Sequence, residues 1–464
     1  MIPTIVRKEL TEMFRDGRFR ITAGIVVALI LGALWVGWKN YSDVNREHRL
    51  AQRATREDWL TQGVKNPHSA AHYGVYAFKP KLPLSFVDQG VDPYTGVAVW
   101  LEAHKQDDFQ YRPAQDSNTL QRFGNLSAAG VLQTLVPLLI VLLTFSAFAG
   151  EREQGTMRQL LSLGMERRTL GLGKAVGIAA ALAFLLIPAA IAGSALLVFT
   201  ETSDRGATIG RIALLAGSYL LYFGAFTGLV LAISARARSS RAALIYGLGF
   251  WILNCLIAPR AVADMAKRIA PTPSSFAFTT GIQRDLAHDG DMEQFKRDVL
   301  KKYGVDSVEK LPVNYSGLSL AKGEENGAVV FDRHYNDLWD RFERQNRIQQ
   351  RTAIASPILA VRSLSMALAG TDFDQHRHFA TAAENYRRFF ISKINEDIAA
   401  SPVNQKGPYT RGNDLWAQIP EFQYEAPGLS HILGQQVWSI GILLLWFLGA
   451  AGVAARSVQR IEPE

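Results

Sequence analysis

Residues 127–149 read SAAGVLQTLVPLLIVLLTFSAFA, without one Asp, Glu, Lys or Arg. A helix rising 1.5 Å per residue needs about 20 apolar residues to cross a bilayer, and this run meets that length. Five more uncharged runs pass the same test, at 21–38, 175–199, 212–233, 242–259 and 432–455. The expected fold is therefore an all-α polytopic membrane protein with six transmembrane helices. The first run is not expected to be a cleaved leader, because it follows a charged segment and ends in Trp35, Trp38 and Tyr41, which read as an interface anchor.

Working outward, the spans leave a cytoplasmic interfacial segment at 1–20, insertions at 39–126 and 260–431, and loops at 150–174, 200–211 and 234–241. A tail follows at 456–464. The mean hydropathy of +0.03 averages these unlike parts. A single cysteine, Cys255, excludes an internal disulfide. The formal charge of +8 concentrates in segments 1–20, 150–174, 234–241 and 456–464, with 15 Lys and Arg against 8 Asp and Glu. Basic excess on short loops marks the cytoplasmic side, so both termini are expected inside the inner membrane and both insertions outside. The excess is spread along membrane-flanking loops rather than gathered in one groove, so no nucleic acid is expected as a partner.

The second insertion has helical periodicity at 291–303, 331–351 and 375–399. In the last of these, Phe379, Ala383, Tyr386, Phe390, Ile394 and Ile398 share one face, with Arg387, Arg388 and Lys393 off it. Turns are expected at Pro312, Gly370, Pro402 and Gly407, among others. In the first insertion a charged helix continues from Val44 to Leu60, and 74–100 has the Pro, Gly and aromatic content of short strands. Segment 354–369 is apolar but interrupted by Arg362 and three serines, too polar to span. It is expected on the outer surface or over the pore mouth, or else buried within the insertion.

Catalytic signatures are missing from the sequence. Gly171-Leu172-Gly173-Lys174-Ala175 lacks the first glycine and the Ser or Thr of a phosphate loop, and neither H-E-x-x-H nor G-x-S-x-G occurs. The chain is expected to be no enzyme and to bind no cofactor. His68 with His72, and His376 with His378, have ligand-like spacing. Neither pair has an obvious third ligand, so no metal is expected.

After the second span comes Glu151-Arg152-Glu153-Gln154-Gly155-Thr156-Met157-Arg158-Gln159-Leu160-Leu161-Ser162. Acidic residues near the start suit a helix dipole, and Met157, Leu160, Leu161 and Gly164 fall at contact spacing. With Arg167, Arg168, Gly173 and Lys174 behind it, this stretch resembles the Glu-rich cytoplasmic segment of ABC-2 type permeases. Gly164-Met165 departs from the family, which often has a proline there. The resemblance implies a coupling helix that docks on separate cytoplasmic ABC ATPase subunits carrying ATP and Mg. Glu151, Arg152, Glu153, Gly155, Thr156, Arg158, Leu160 and Leu161 would be the contact residues.

Near the N-terminus, Ile2, Val6, Leu10, Met13 and Phe14 form a stripe, with Arg7, Lys8, Arg15 and Arg18 elsewhere. This is the pattern of a helix lying in the headgroup layer, in contact with membrane lipid. In the resembled family such a helix also touches the ATPase. Pro312-Val313-Asn314-Tyr315-Ser316-Gly317, Gly323-Glu324-Glu325, Ser356-Pro357-Ile358-Leu359 and 363–373 are similar to a subgroup with a large insertion between spans five and six. The family's central path is lined by spans two and five, where Thr144, Ser146 and Asn254 are the sparse polar groups. The resemblance implies a permease that works as a homodimer or heterodimer and exports its cargo. Alternatives are an ATP-driven mechanotransmitter acting on an extracytoplasmic partner, and a receptor or scaffold.

Overall fold

The computed structural model describes residues 1–115, 126–200, 204–288, 290–403 and 408–462, apart from the Arg18 side chain. Gly407, expected in a turn, lies outside the described residues, as does the Arg18 side chain. Among the described residues, six helices are long and apolar enough to cross a membrane: Phe19–Thr61, Ala128–Glu153, Arg167–Val198, Arg205–Arg236, Ser240–Ile269 and Leu429–Gln459. They coincide with the six uncharged runs and are longer, because charged flanks continue the same helices. The fold is an all-α polytopic one.

The first span belongs to a 45-residue helix, Gly17–Thr61. At ~67 Å it is about twice the thickness of the hydrocarbon layer. Its distal half, the charged stretch expected from Val44 onward, stands out as a rod. Trp59 near the tip is buried, with its ring 5.7 Å from Trp416 and 5.8 Å from Phe390. Its Nε1 donates to the Trp416 carbonyl at 3.0 Å.

The two insertions build one head around that tip. An antiparallel sheet in the order β1 (Val75–Phe78), β2 (Ala98–Glu102), β3 (Lys105–Gln106) comes from the first insertion. The long helices Tyr315–Thr352 and Phe373–Ala400 come from the second. Phe379, Ala383, Phe390, Ile394 and Ile398 are buried together with Val75, Val99 and Leu101, as their shared face predicts. Arg387, off that face, is also buried. Its guanidinium bridges Glu384, Glu324 at 3.0 Å and the Glu102 carbonyl at 3.1 Å. Burial works against these charges, yet the partners hold the Arg387 pKa above the usual arginine value and that of Glu324 down to about 2.

Segment 354–369 is neither on the membrane surface nor within the head's own core. It forms a helix, Pro357–Ala369, with ten of its thirteen residues buried. It packs mainly on the fourth and sixth spans, beside the short turn Pro83–Phe86. The polar residues that unfit it for lipid find partners here. Ser365 Oγ donates to Asp88 at 2.5 Å and meets the Tyr219 hydroxyl at 3.1 Å; Ser363 donates to Gln436 at 3.0 Å, and Arg362 to Gln133 at 3.3 Å. Burial pushes the Asp88 carboxyl above its usual range, against the hydrogen bonds from Ser365 and the Gly90 amide. Polar groups that would be costly against lipid are tolerated where protein satisfies them.

Gly224 and Gly228 let the fourth and sixth spans touch. A Cβ at Gly224 would stand 2.6 Å from the Phe447 ring, and one at Gly228 would stand 3.0 Å from the Ala450 backbone. This G-x-x-x-G serves packing within the chain.

In helix Tyr315–Thr352, a Cβ at Gly317 would fall 2.2 Å from the Ala399 backbone nitrogen, whereas at Gly323 it would meet open space. Gly317→Ala should therefore destabilise the head by at least about 1–3 kcal/mol through overpacking. Gly323→Ala should be neutral or stabilising by up to about 1 kcal/mol. Thermal unfolding of the two purified variants in the same detergent checks the pair; equal melting temperatures would contradict this packing.

Candidate coupling site

The second span runs into an elbow of two short helices, not the single helix expected. Ala149–Glu153 ends at Gly155, whose φ of +73° is left-handed, and Thr156–Ser162 resumes after it. A residue with a Cβ is disfavoured in that conformation, so the glycine sets the bend.

Each charged residue at the bend grips a different element. Glu151 is buried and accepts from Lys8 at 2.6 Å, from Lys174 at 3.1 Å and from the Thr156 hydroxyl. Arg152 donates to the carbonyls of Ala237 and, at 2.9 Å, Ala235, the last carbonyls of the fourth span. Glu153 accepts from the Ser240 amide at 3.0 Å and hydroxyl at 2.6 Å, at the first turn of the fifth. A cation at a helix C-terminus and an anion at an N-terminus both complement the helix dipole. Ser234 adds a further tie: it donates to the Phe145 carbonyl at 2.7 Å and accepts from the Phe148 and Ala149 amides.

The interfacial helix, Ile2–Arg15, is part of the same cluster. Its buried residues are Ile5, Glu9 and Met13, and it lies along the third span. Gly173 and Gly177 permit the approach, since Cβ atoms there would stand 2.7 Å from Ile5 and 2.9 Å from Glu9. The Lys174 side chain, 2% exposed, donates to Glu9 at 2.7 Å as well as to Glu151. Burial disfavours the charge of Lys8, but its hydrogen bonds to Glu151 and Glu12 and the charge of Glu9 hold its ammonium above the ordinary lysine value. Val6, Leu10 and Phe14 are half-buried, and Phe14 packs edge-on against Phe184 with ring centres 5.1 Å apart.

The expected coupling residues thus divide in two. Glu151, Arg152, Glu153 and Thr156 are engaged with the protein's own elements. Arg158 is exposed, with Leu160 and Leu161 half-buried beside it, and Leu163 is 84% exposed at the tip. Glu9 and Lys174 were not singled out as partners from the sequence. The available signal was a carboxylate between Ile5 and Met13 on one helical face, and a lysine inside an otherwise apolar helix.

The expected path residues lie apart from the elbow's surface. Thr144 is fully buried and its hydroxyl has no hydrogen-bond partner among the described residues; Asn254 is buried, donating to the Phe250 carbonyl at 3.0 Å while its Oδ1 has none among them; Ser146 is half-buried. Thr144 and Asn254 could line a path only if spans two and five part from their present neighbours. A separate cavity of about 1100 Å³ opens between the first, third, fourth and sixth spans, lined by Leu34, Ala183, Phe223 and Phe447 among others.

Residues 102–284 match the family model of ABC-2 family transporter proteins, and residues 277–425 match that of a domain of unknown function, DUF3526. A probable ABC transporter permease protein, NosY, of Pseudomonas aeruginosa is 34% identical over 124 residues. That match covers 26% of this chain and 45% of the relative, so the chain spans less than half of the relative's length. With six helices long and apolar enough to cross a membrane among the described residues, the chain is a multi-pass membrane protein, and the part of it that carries the elbow is similar to ABC-2 family transporter proteins.

Proposed function

We propose that this chain is the membrane subunit of an ATP-binding-cassette transporter and that a separate cytoplasmic ATPase, holding ATP and Mg, drives it through the elbow. The clamp made by Glu151, Arg152 and Glu153 carries the reading. It joins the end of span two to the interfacial helix and to spans three, four and five, so a displacement of the elbow reaches all of them. The ATPase would seat on the exposed side, on Arg158 and Leu163, with Leu160 and Leu161 behind them. In this arrangement both termini and the elbow face the cytoplasm across the inner membrane, and the head faces outward. The chain itself hydrolyses no nucleotide. Two permease copies, alike or different, would meet across spans two and five, where Ile245, Tyr246, Leu253 and Leu256 are exposed on span five. A path between them, with Thr144, Ser146 and Asn254 as its few polar groups, suits export of an amphipathic cargo better than of a small ion.

A second reading rests on the rod and on helix Pro357–Ala369, which join the spans to the head. Movement of the bundle would then be relayed to the head to act on an extracytoplasmic partner, with nothing crossing the membrane. Reconstituted complex that moves labelled lipid or peptide with ATP supports transport. ATP-dependent change in head protection by hydrogen exchange, with no movement of either label, supports the relay.

Three outcomes test the coupling. Leu163→Asp with Arg158→Glu should fold normally and lower ATPase copurification at least about tenfold, the loss expected from about 1.4 kcal/mol at an interface. Glu151→Gln should instead lower the melting temperature, since breaking a buried pair costs about 3–5 kcal/mol. In a Cys255→Ser background, Leu163→Cys should react with an impermeant maleimide only from the cytoplasmic side. Reaction from the opposite side only would refute the docking site.

A further inference from the structure

The head brings together three histidines that the sequence keeps apart. Helix Pro67–Tyr73, capped by Asn66 accepting from the His68 amide at 2.9 Å, places His68 and His72 one turn apart. The turn between β2 and β3 brings His104 against both, with its ring centre 5.1 Å from each. His104 has a φ of +69°, a left-handed conformation uncommon for a side-chain-bearing residue. One ligating nitrogen from each histidine lies within 4.8 Å of the others, and this is the group of three metal-type ligands found among the described residues.

We propose that His68, His72 and His104 bind one borderline divalent cation of the Zn2+ class. The His68 and His72 Nε2 atoms are 3.3 Å apart. Two nitrogens each about 2.0–2.1 Å from a tetrahedral Zn2+ stand about 3.3 Å apart, so this pair already has the spacing of one edge of the coordination shell. Carboxylates stand behind the rings. Glu324 lies 3.0 Å from His104 Nδ1 and also accepts from the His104 amide at 2.5 Å, which leaves Nε2 for a metal. Glu102 lies 3.9 Å from His72 Nδ1. A carboxylate on the far nitrogen orients a ligating imidazole and raises its basicity. Three neutral nitrogen donors favour zinc, and also copper or nickel, over calcium or magnesium, which take oxygen. His72 and His104 are exposed, so the fourth position is open to water or to an outside ligand. Glu324 belongs to the second insertion and the histidines to the first, so a bound ion would join the two halves of the head. The proposal stands apart from the transporter reading.

The test uses untagged full-length protein in detergent, stripped with a chelator, passed through Zn2+ and then gel-filtered before elemental analysis. One zinc per chain is expected, and Co2+ in its place should give the visible d–d bands of a tetrahedral or five-coordinate site. His68→Ala, His72→Ala and His104→Ala should each lose the stoichiometric ion while eluting and melting like the stripped wild type. His378→Ala should keep it. If the wild type retains no ion, or if the three alanine variants retain as much as it does, the histidines are only a hydrogen-bonded surface cluster and the proposal fails.

Discussion

The buried contact between Lys174 and the carboxylates of Glu9 and Glu151 is the constraint on which the elbow depends. All three side chains are under 10% exposed, where an unpaired charge would carry a heavy desolvation cost. They therefore hold one another in place. Lys174 comes from the third span, Glu9 from the interfacial helix and Glu151 from the end of the second, so three separate elements must meet for any of the charges to be satisfied. Arg152 and Glu153 extend the same logic to the ends of the fourth and fifth spans, where the orphan backbone groups of helix termini need partners. Under the proposed coupling, rigidity at this point would let the elbow act as a lever, since a loop held only by its own ends would absorb a displacement without passing it on.

At the other end of the bundle, a second set of polar contacts ties the head to the spans. Helix Pro357–Ala369 is too polar for lipid and too apolar for water, and it settles between the fourth and sixth spans, where its serines and Arg362 meet Asp88, Tyr219, Gln436 and Gln133. Asp88 belongs to the first insertion, so this helix also joins the two insertions to the membrane body. The rod formed by Gly17–Thr61 provides a second connection, with Trp59 locked into the head's core. Both connections run through buried, hydrogen-bonded side chains.

The spans, the protruding charged helix, the strands of the first insertion and the helices of the second were legible because each is a matter of local pattern. An uncharged run of sufficient length has few alternatives to crossing a membrane, and one apolar face of a helix has few alternatives to burial. The elbow was legible as a segment, from its resemblance to ABC-2 permeases, but the direction in which its side chains point was not. Glu151, Arg152 and Glu153 look like docking charges in the sequence, and the structure adds partners for them on the interfacial helix and the third, fourth and fifth spans. Likewise the His68 and His72 pair was visible at its i, i+4 spacing, whereas His104, more than thirty positions away by the sequence, was not.

The sequence by itself determined the membrane crossings, the division into bundle and insertions, and the place of the elbow. These follow from hydrophobicity and periodicity, which are properties of neighbouring residues. The tertiary structure alone decided which charges are inside the protein, where helix Pro357–Ala369 lies, and that three histidines share one spot. Those are set by contacts between residues far apart in the chain, and a charge or a ligand has no fixed role until its partner in space is known.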